Sequence, residues 1–489
     1  MENILSIRWF FPEIIISSFI LLILLMVSFS RKTDIVAHYV SLFGLFLSFL
    51  AVMYGIKDQQ VSIFRDLLAI DKLSTYFKVF FIIVTALTIL ISMGSLEVER
   101  LKKSEYYSLI LAVCLGMMLL SSATDLLMIY LSMEMVSLTS YILVGFLREE
   151  NRSTEAALKY VLFGAACSGC MLYGMSLFYG VSGSTNLYEI KKALVAGNIS
   201  SAFLLLAMVL LLGGFFFKIS AVPFHMWVPD VYHGAPTPIT GFLSVGPKAA
   251  GFAILIRFFY LVMVKGSQTT GWSVLKGFDW TVLIGVVSAF TMTIGNLAAI
   301  GQSNAKRLLA YSSIAHAGYM LMGFVVLNPL GLKAILFYLI VYLFMNLGAF
   351  LFVIAIANVT GDEEIESYRG LAWKAPLPAV AMTVFLFSLT GIPPFSGFVG
   401  KILLFAAVIR EKWYILAVIG ILNSVISLYY YARIIKVMFL ETPVEETPVE
   451  ITRFNRWVLT GFIIPNIAIG IYWGPIVELV EKSFKFIGP

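Results

Sequence analysis

Read for polarity alone, the chain is a succession of long apolar runs separated by short polar breaks. A bilayer core of about 30 Å takes roughly 20 apolar residues per helix, and at that width about fourteen segments qualify. They fall near residues 10–29, 37–55, 73–94, 105–121, 124–146, 156–181, 201–222, 236–264, 280–301, 308–327, 331–357, 376–409, 413–439 and 456–478. None shows the alternation of a barrel strand, and a spanning segment must satisfy its own backbone hydrogen bonds, so all are predicted as helices. The first run, "FPEIIISSFILLILLMVSF", is too long for a signal-peptide core and lacks a small-residue cleavage site, so it is expected to be retained.

An even number of crossings puts both termini on one side. With the termini outside, Arg31 and Lys32, the segments 97–103, 147–152 and 305–307, and the loop of the 440s face the cytoplasm. Lys and Arg are then in slight excess inside. Composition agrees with a polytopic protein: 60% of 489 residues are hydrophobic, 13% are charged and the mean hydropathy is +0.93. The net charge of +6 is scattered over short loops, which excludes a nucleic-acid surface. Of three cysteines, Cys114, Cys167 and Cys170, the last two form C-x-x-C inside a helix without a nearby His or second pair, so the pair reads as close-packing residues rather than a metal or redox site. No nucleotide loop or metalloprotease motif is present, so any electron or nucleotide chemistry belongs to another chain.

The informative positions are polar groups inside apolar runs, each costing about 2.5–3.5 kcal/mol at mid-bilayer on insertion scales. Six stand out: Glu134, Lys159, Lys218, Lys248, Arg257 and Lys401. For Lys159, one turn after Glu155, and for Arg257 and Lys78, a local partner or snorkelling to the interface accounts for the charge as well as function does. Glu134, Lys218, Lys248 and Lys401 have no such escape. Pro223 lies five residues after Lys218, and Pro393 and Pro394 shortly before Lys401. Proline cannot donate the bond that continues a helix, so both segments are expected to break at membrane depth, where irregular backbone is tolerated only around a polar cavity or inside protein.

The breaks also point to duplication. "SYILVGF", ending at Phe146, and "GYMLMGF", ending at Phe324, share Y-x-L-x-G-F; "VPFHMW" and "PPFSGF" share P-F at nearly the same spacing. This suggests a repeated unit of about five helices, and an odd number makes the two copies inverted. The expected division is 1–103 for three helices, 104–265 and 266–440 for the repeats, and 441–489 for the last loop and helix. A buried lysine loses proton affinity by desolvation and regains it beside a carboxylate. Glu134 and Lys218 are therefore a candidate switching pair, with Lys248 and Lys401 as further stations and His225 and His316 as supporting groups. A hydrogen-bonded core residue is the lesser alternative for His316.

At "SMEMVSLTSYIL", "FKISAVPFHMWVPDVYHGAPTPITGFLS", "KRLLAYSSIAHAGYM" and "YRGLAWKAPLPAVAMTVFLFSLTGIPPFSGFVGKILLF" the chain resembles the antiporter-like membrane subunits of respiratory complex I and of Mrp cation/proton antiporters. The resemblance covers about residues 100–440. It implies an all-α polytopic membrane protein of about 14 transmembrane helices, with two inverted five-helix repeats, each containing a broken helix, and both termini periplasmic at the bacterial inner membrane. It implies a proton path in which Glu134 pairs with Lys218, Lys248 is central and Lys401 is the exit-side group. It further implies no cofactor in this chain: NADH, FMN, iron–sulfur clusters and quinone sit in partner subunits, and the partners are a neighbouring antiporter-like subunit and small membrane subunits. The length and the lysine at 401 differ from the longest and the middle paralogues of complex I. An Mrp-type Na+/H+ exchanger and relatives linked to other electron donors, F420 among them, stay open as alternatives. A purely structural subunit would have no use for these buried charges.

Overall fold

The computed structural model describes residues 2–29, 34–55, 60–99, 101–197, 199–267, 271–275, 279–443 and 449–484. Arg31, Lys32, Arg100 and most of the 440s loop, assigned above to one membrane side, lie outside them. α1 (Glu2–Trp9) leads into α2 (Phe11–Phe29), α3 (Ala37–Tyr54) and α4 (Lys72–Met93), and the short α5 (Leu96–Glu99) follows. Next come α6 (Lys103–Ser122), α7 (Leu126–Val144), α8 (Asn151–Ser182), the amphipathic α9 (Leu187–Ala196), α10 (Ser201–Ile219), α11 (Val228–Gly234) and α12 (Thr237–Phe258). The chain continues through α13 (Trp280–Ile300), α14 (Ala305–Val325), α15 (Pro329–Thr360), α16 (Leu371–Lys374), α17 (Pro376–Thr390), α18 (Ser396–Arg410) and α19 (Tyr414–Leu440). It ends in α20 (Arg453–Ile471) and α21 (Gly474–Ser483).

Thirteen helices of the described residues are long and apolar enough to cross a membrane. The remaining crossing is made jointly by α17 and α18, each of 15 residues. Polar caps mark where many crossings begin: side chains of Asp71, Asp125, Ser200, Asp279, Asn304, Asn328 and Thr452 each accept an N–H of the first turn. Such caps satisfy helix-end donors that apolar neighbours cannot. The expected spans hold with two differences: the segment 376–409 is two helices, and the segment 456–478 stops at Ile471 before α21 begins; the short α1, α5, α9, α11 and α16 form outside the predicted spans. Two small hairpins were not anticipated: β1 (Val61–Ile63) pairs with β2 (Leu68–Ile70), and β3 (Val264–Ser267) with β4 (Gly271–Val274). They lie in connections between crossings, where antiparallel pairing satisfies backbone groups.

The repeat is visible in the packing. α6 lies on α7, α7 on α8, α8 on α10 and α11, and α10 on α12; α13 on α14, α14 on α15, α15 on α17 and α18, and α17 on α19 repeat the order. α12 and α14 are the most enclosed long helices, one from each copy. Both broken helices stop in the same way. The Ala221 N–H donates to Phe216 O at 2.9 Å around Ser220, whose φ is 64°, and the Ile392 N–H donates to Phe387 O at 3.0 Å around Gly391, whose φ is 88°. This is the Schellman closure, which needs a left-handed residue after the helix.

The loops gather into two layers, as alternating crossings require. On one side Leu68 bridges Ala123 and Asp125 bridges Asn186; on the other Asn304 bridges Glu364, and Asn358 and Asn455 both donate to Gly94 O.

Candidate functional site: a buried lysine array

The three candidate lysines are enclosed, with Lys218 2% exposed, Lys248 1% and Lys401 4%. Other buried cations are matched by carboxylates. Lys78 meets Glu13 at 2.6 Å, and Arg257 holds Asp71 through two bonds of 2.8 and 2.9 Å while donating to Ser121 O. Arg257 and Lys78 are thus ion-paired inside the bundle and do not snorkel. Glu13 and Asp71 escaped the sequence reading, although a carboxylate inside "FPEIII" was itself a signal.

The three array lysines are held by neutral groups instead. Lys218 sits in the last turn of α10, directly before the break, and donates to Ser137 Oγ at 2.8 Å. Ser137 lies on α7 one turn from Glu134, whose carboxylate is half-buried and accepts the Ser168 hydroxyl of α8. Glu134 and Lys218 share a helix neighbourhood but make no ion pair among the described residues. The methylene stem of Lys218 packs against α12 at Gly251, where an added Cβ would stand 3.3 Å from Lys218 Cγ. Three residues earlier on α12, Lys248 donates to Ser313 O at 3.0 Å and Ser313 Oγ at 2.8 Å, with the Tyr232 ring centroid 5.8 Å away.

α14 carries this contact across the second repeat. Ser312 bonds the Tyr431 hydroxyl, and His316 lies 2.7 Å from Tyr338 Oη through Nδ1 and 3.4 Å from Tyr431 Oη through Nε2. One turn on, Tyr319 places its ring 4.5 Å from Lys401 Nζ. Lys401, in the second turn of α18, donates to Thr390 O at 2.8 Å and Ser424 Oγ at 3.0 Å. Thr390 is the last residue of α17, so the ammonium takes a carbonyl that the broken helix cannot use. The tyrosine–asparagine group Tyr430, Asn296 and Asn423 flanks this line on α19 and α13.

His316 therefore stands between Lys248 and Lys401, and its core bonding and its place on the line are the same contacts. The other expected residues fare variously. Pro223, Pro393 and Pro394 lie in the breaks. His225 is 8% exposed near the first break, and its Nδ1 is buried without a hydrogen-bond partner. Lys159 is 38% exposed and bonded to Glu155 at 2.8 Å and Asp230 at 2.7 Å; Asp230 also binds Arg307. It ties α11 to α8 and α14 at the loop layer, away from the three lysines. The hydroxyls of Ser137, Ser313, Ser424, Tyr319 and Tyr431 were missed because serine and tyrosine are ordinary residues of membrane helices, and only the fold brings them to a lysine.

Two inverted repeats, two broken helices and a line of buried lysines bound by neutral oxygens define an antiporter-like, ion-translocating membrane protein. Residues 123–427 match the family described as NADH:quinone oxidoreductase/Mrp antiporter, TM, and the chain belongs to this family. It is 46% identical over 493 residues to NADH-quinone oxidoreductase subunit N 2 of Chloroherpeton thalassium, covering 98% of this chain and 94% of that one. Its fold superposes on a chain of respiratory complex I from Thermus thermophilus with a TM-score of 0.80, at 31% identity, over 96% of this chain and 99% of that one. A chain of the Mrp complex from Dietzia sp. gives a TM-score of 0.84 at 21% identity, covering 98% and 99%, a likeness of fold alone.

Proposed function

We propose that the chain is the proton-translocating, antiporter-like subunit N of a bacterial NADH:quinone oxidoreductase, moving protons through buried groups while quinone is reduced in other subunits. The observation that carries this is the array of three enclosed lysines that meet no carboxylate among the described residues, each bonded by hydroxyls or a carbonyl. An ammonium held by neutral oxygens can release its proton without leaving an unpaired carboxylate, whereas the Lys78–Glu13 and Arg257–Asp71 pairs are electrostatically locked. Glu134, Lys218, Lys248 and Lys401 are the proton-carrying groups, and Ser137, Ser313, His316, Tyr319 and Ser424 orient them. The near-full-length relatives named as subunit N support this assignment.

The finer parts of the reading follow from it. Residues 104–265 and 266–440 form the two repeats, both termini face the periplasm of the inner membrane, and a neighbouring antiporter-like subunit and small membrane subunits adjoin the chain. NADH, FMN, iron–sulfur clusters and quinone belong to the partners. An Mrp-type sodium exchange fits the fold, yet sodium requires several hard oxygen ligands and the path is lined by ammonium donors, which repel it. Purification of the native assembly, followed by flavin and iron–sulfur absorption and NADH-driven acidification of vesicles, tests the proposal. An assembly without redox absorption that exchanges sodium for protons overturns it.

A further inference from the structure

Away from the lysine array, the loop layer opposite the termini brings two carboxylates to the first turn of α12. The Thr237 N–H donates to Glu97 Oε2 at 2.8 Å, and the Thr237 hydroxyl stands 3.2 Å from Glu97 Oε1 and 3.3 Å from Glu363 Oε1. Lys306 of α14 reaches Glu363 Oε1 at 2.8 Å and Ala235 O at 2.9 Å. Glu97 comes from α5, before the first repeat, and Glu363 from the connection after α15, so the cluster joins segments far apart in sequence.

One lysine against two carboxylates leaves a negative charge in excess. The helix N-terminus favours that charge, while two carboxylates on one hydroxyl disfavour its doubling, so a single shared proton suits the site. Burial pushes the Glu97 carboxyl above its ordinary range, opposed by Lys306 and by the Thr237 bonds and reinforced by Glu363. Arg307 on α14, His233 on α11, Arg152 on α8, Tyr106 on α6, and Tyr368, Asp362 and Glu364 beside Glu363 complete the charged and titratable surroundings.

From this cluster a polar stripe runs along α12 toward Lys248. Thr237, Ser244 and Lys248 are spaced seven and four residues apart, which places them on one helix face. Ser244 accepts the side-chain amide of Asn346 and donates to Gly241 O at 2.6 Å. Asn346 Oδ1 and Tyr232 Oη, both on residues with no exposure, have no hydrogen-bond partner within bonding geometry among the described residues. Buried polar atoms of this kind are where proteins bind ordered water; Asn346 stands against Ser244 midway along the stripe, and the Tyr232 ring lies 5.8 Å from Lys248 Nζ.

We propose that Glu97 and Glu363, sharing the hydroxyl of Thr237, form a proton-loading site that supplies Lys248 along this stripe. A proton from the adjoining water converts one carboxylate to the acid. It then passes by way of the stripe to the Lys248 amine, which becomes ammonium and restores the carboxylate. The inference rests on the reading of Lys248 as a proton station.

The test uses the whole complex in vesicles at matched assembly, with coupled quinone reduction and proton translocation followed from acid to alkaline buffer. Glu97→Gln and Glu363→Gln each lower the coupled rate roughly tenfold in alkaline buffer, less than the full loss of a proton-transfer group because the remaining carboxylate and water still feed the stripe. The deficit shrinks as pH falls, because bulk protons then reach the stripe directly. The double variant is little worse than the poorer single one, and Glu97→Asp restores most of the rate. Thr237→Val keeps both carboxylates and the backbone bond, and it shows a smaller deficit of the same pH form; it decides the matter if a glutamine variant fails to assemble. A loss independent of pH, or none, overturns the loading site. Lys248→Ala separates the two readings: normal pumping in that variant removes the lysine path itself, whereas a dead Lys248→Ala beside unaffected glutamine variants removes the loading site alone.

Discussion

The two broken helices close with the same backbone bonds and yet present their lysines differently. In the first, Lys218 precedes the break and donates to a side chain of α7, with the Glu134 carboxylate one turn away on that helix. In the second, Lys401 follows the break, takes the freed Thr390 carbonyl and lies against Tyr319, and no carboxylate among the described residues pairs with it. The first lysine is placed for electrostatic control by a neighbouring acid. The second depends on the break itself, since its main acceptor exists only because α17 ends. The two halves thus share the backbone device and differ in the chemistry around it.

Replacing each lysine is the strongest way to break this comparison. Lys218→Ala is expected to leave the complex assembled while coupled quinone reduction and proton translocation fall together, on the order of a hundredfold if the lysine transfers protons. Normal translocation per electron in reconstituted vesicles reduces Lys218 to packing. Lys401→Arg keeps the charge but removes the ability to release a proton, so it should assemble and translocate poorly, by roughly tenfold or more; Lys401→Glu restores a titratable group and part of the activity. Full activity with arginine would make Lys401 a fixed charge.

Glu134→Gln sharpens the difference between the halves. Because Glu134 acts on Lys218 across a helix turn rather than by contact, the expected loss is several-fold, and adding Lys218→Ala to it costs little more than Lys218→Ala alone. Losses that add in full would dissolve the pair. The smallest effects are in the caps. Gly391→Ala places a side chain at φ 88°, with its Cβ 2.8 Å from Lys401 Cδ, and should destabilise by about 1–2 kcal/mol or more while disturbing the lysine. Ser220→Gly relieves a left-handed serine and should change thermal stability by less than about 1 kcal/mol, in the stabilising direction. A Gly391→Ala protein as stable and active as the parent argues that the second break is not closed by that turn.

Much of the site was legible because charge inside an apolar run is conspicuous. Lys218, Lys248 and Lys401 stood out by cost alone, and the prolines announced the breaks. Arg257 and Lys78 carried the same cost and were left undecided, since their partners Asp71 and Glu13 are 186 and 65 positions away and only packing joins them. The hydroxyl ligands gave no signal at all.

The sequence by itself determined the number and length of the crossings, the two interruptions and the identity of the expensive charges, because the bilayer imposes on each segment a length and an apolarity that can be read locally. Tertiary structure alone decided which buried cations are neutralised. Lys78 and Arg257 meet carboxylates and are held, while Lys218, Lys248 and Lys401 meet hydroxyls and carbonyls, the arrangement on which the proposed proton path rests. That distinction depends on distances between helices far apart in the chain, and an electrostatic interaction that falls with separation is set by where those helices come to rest.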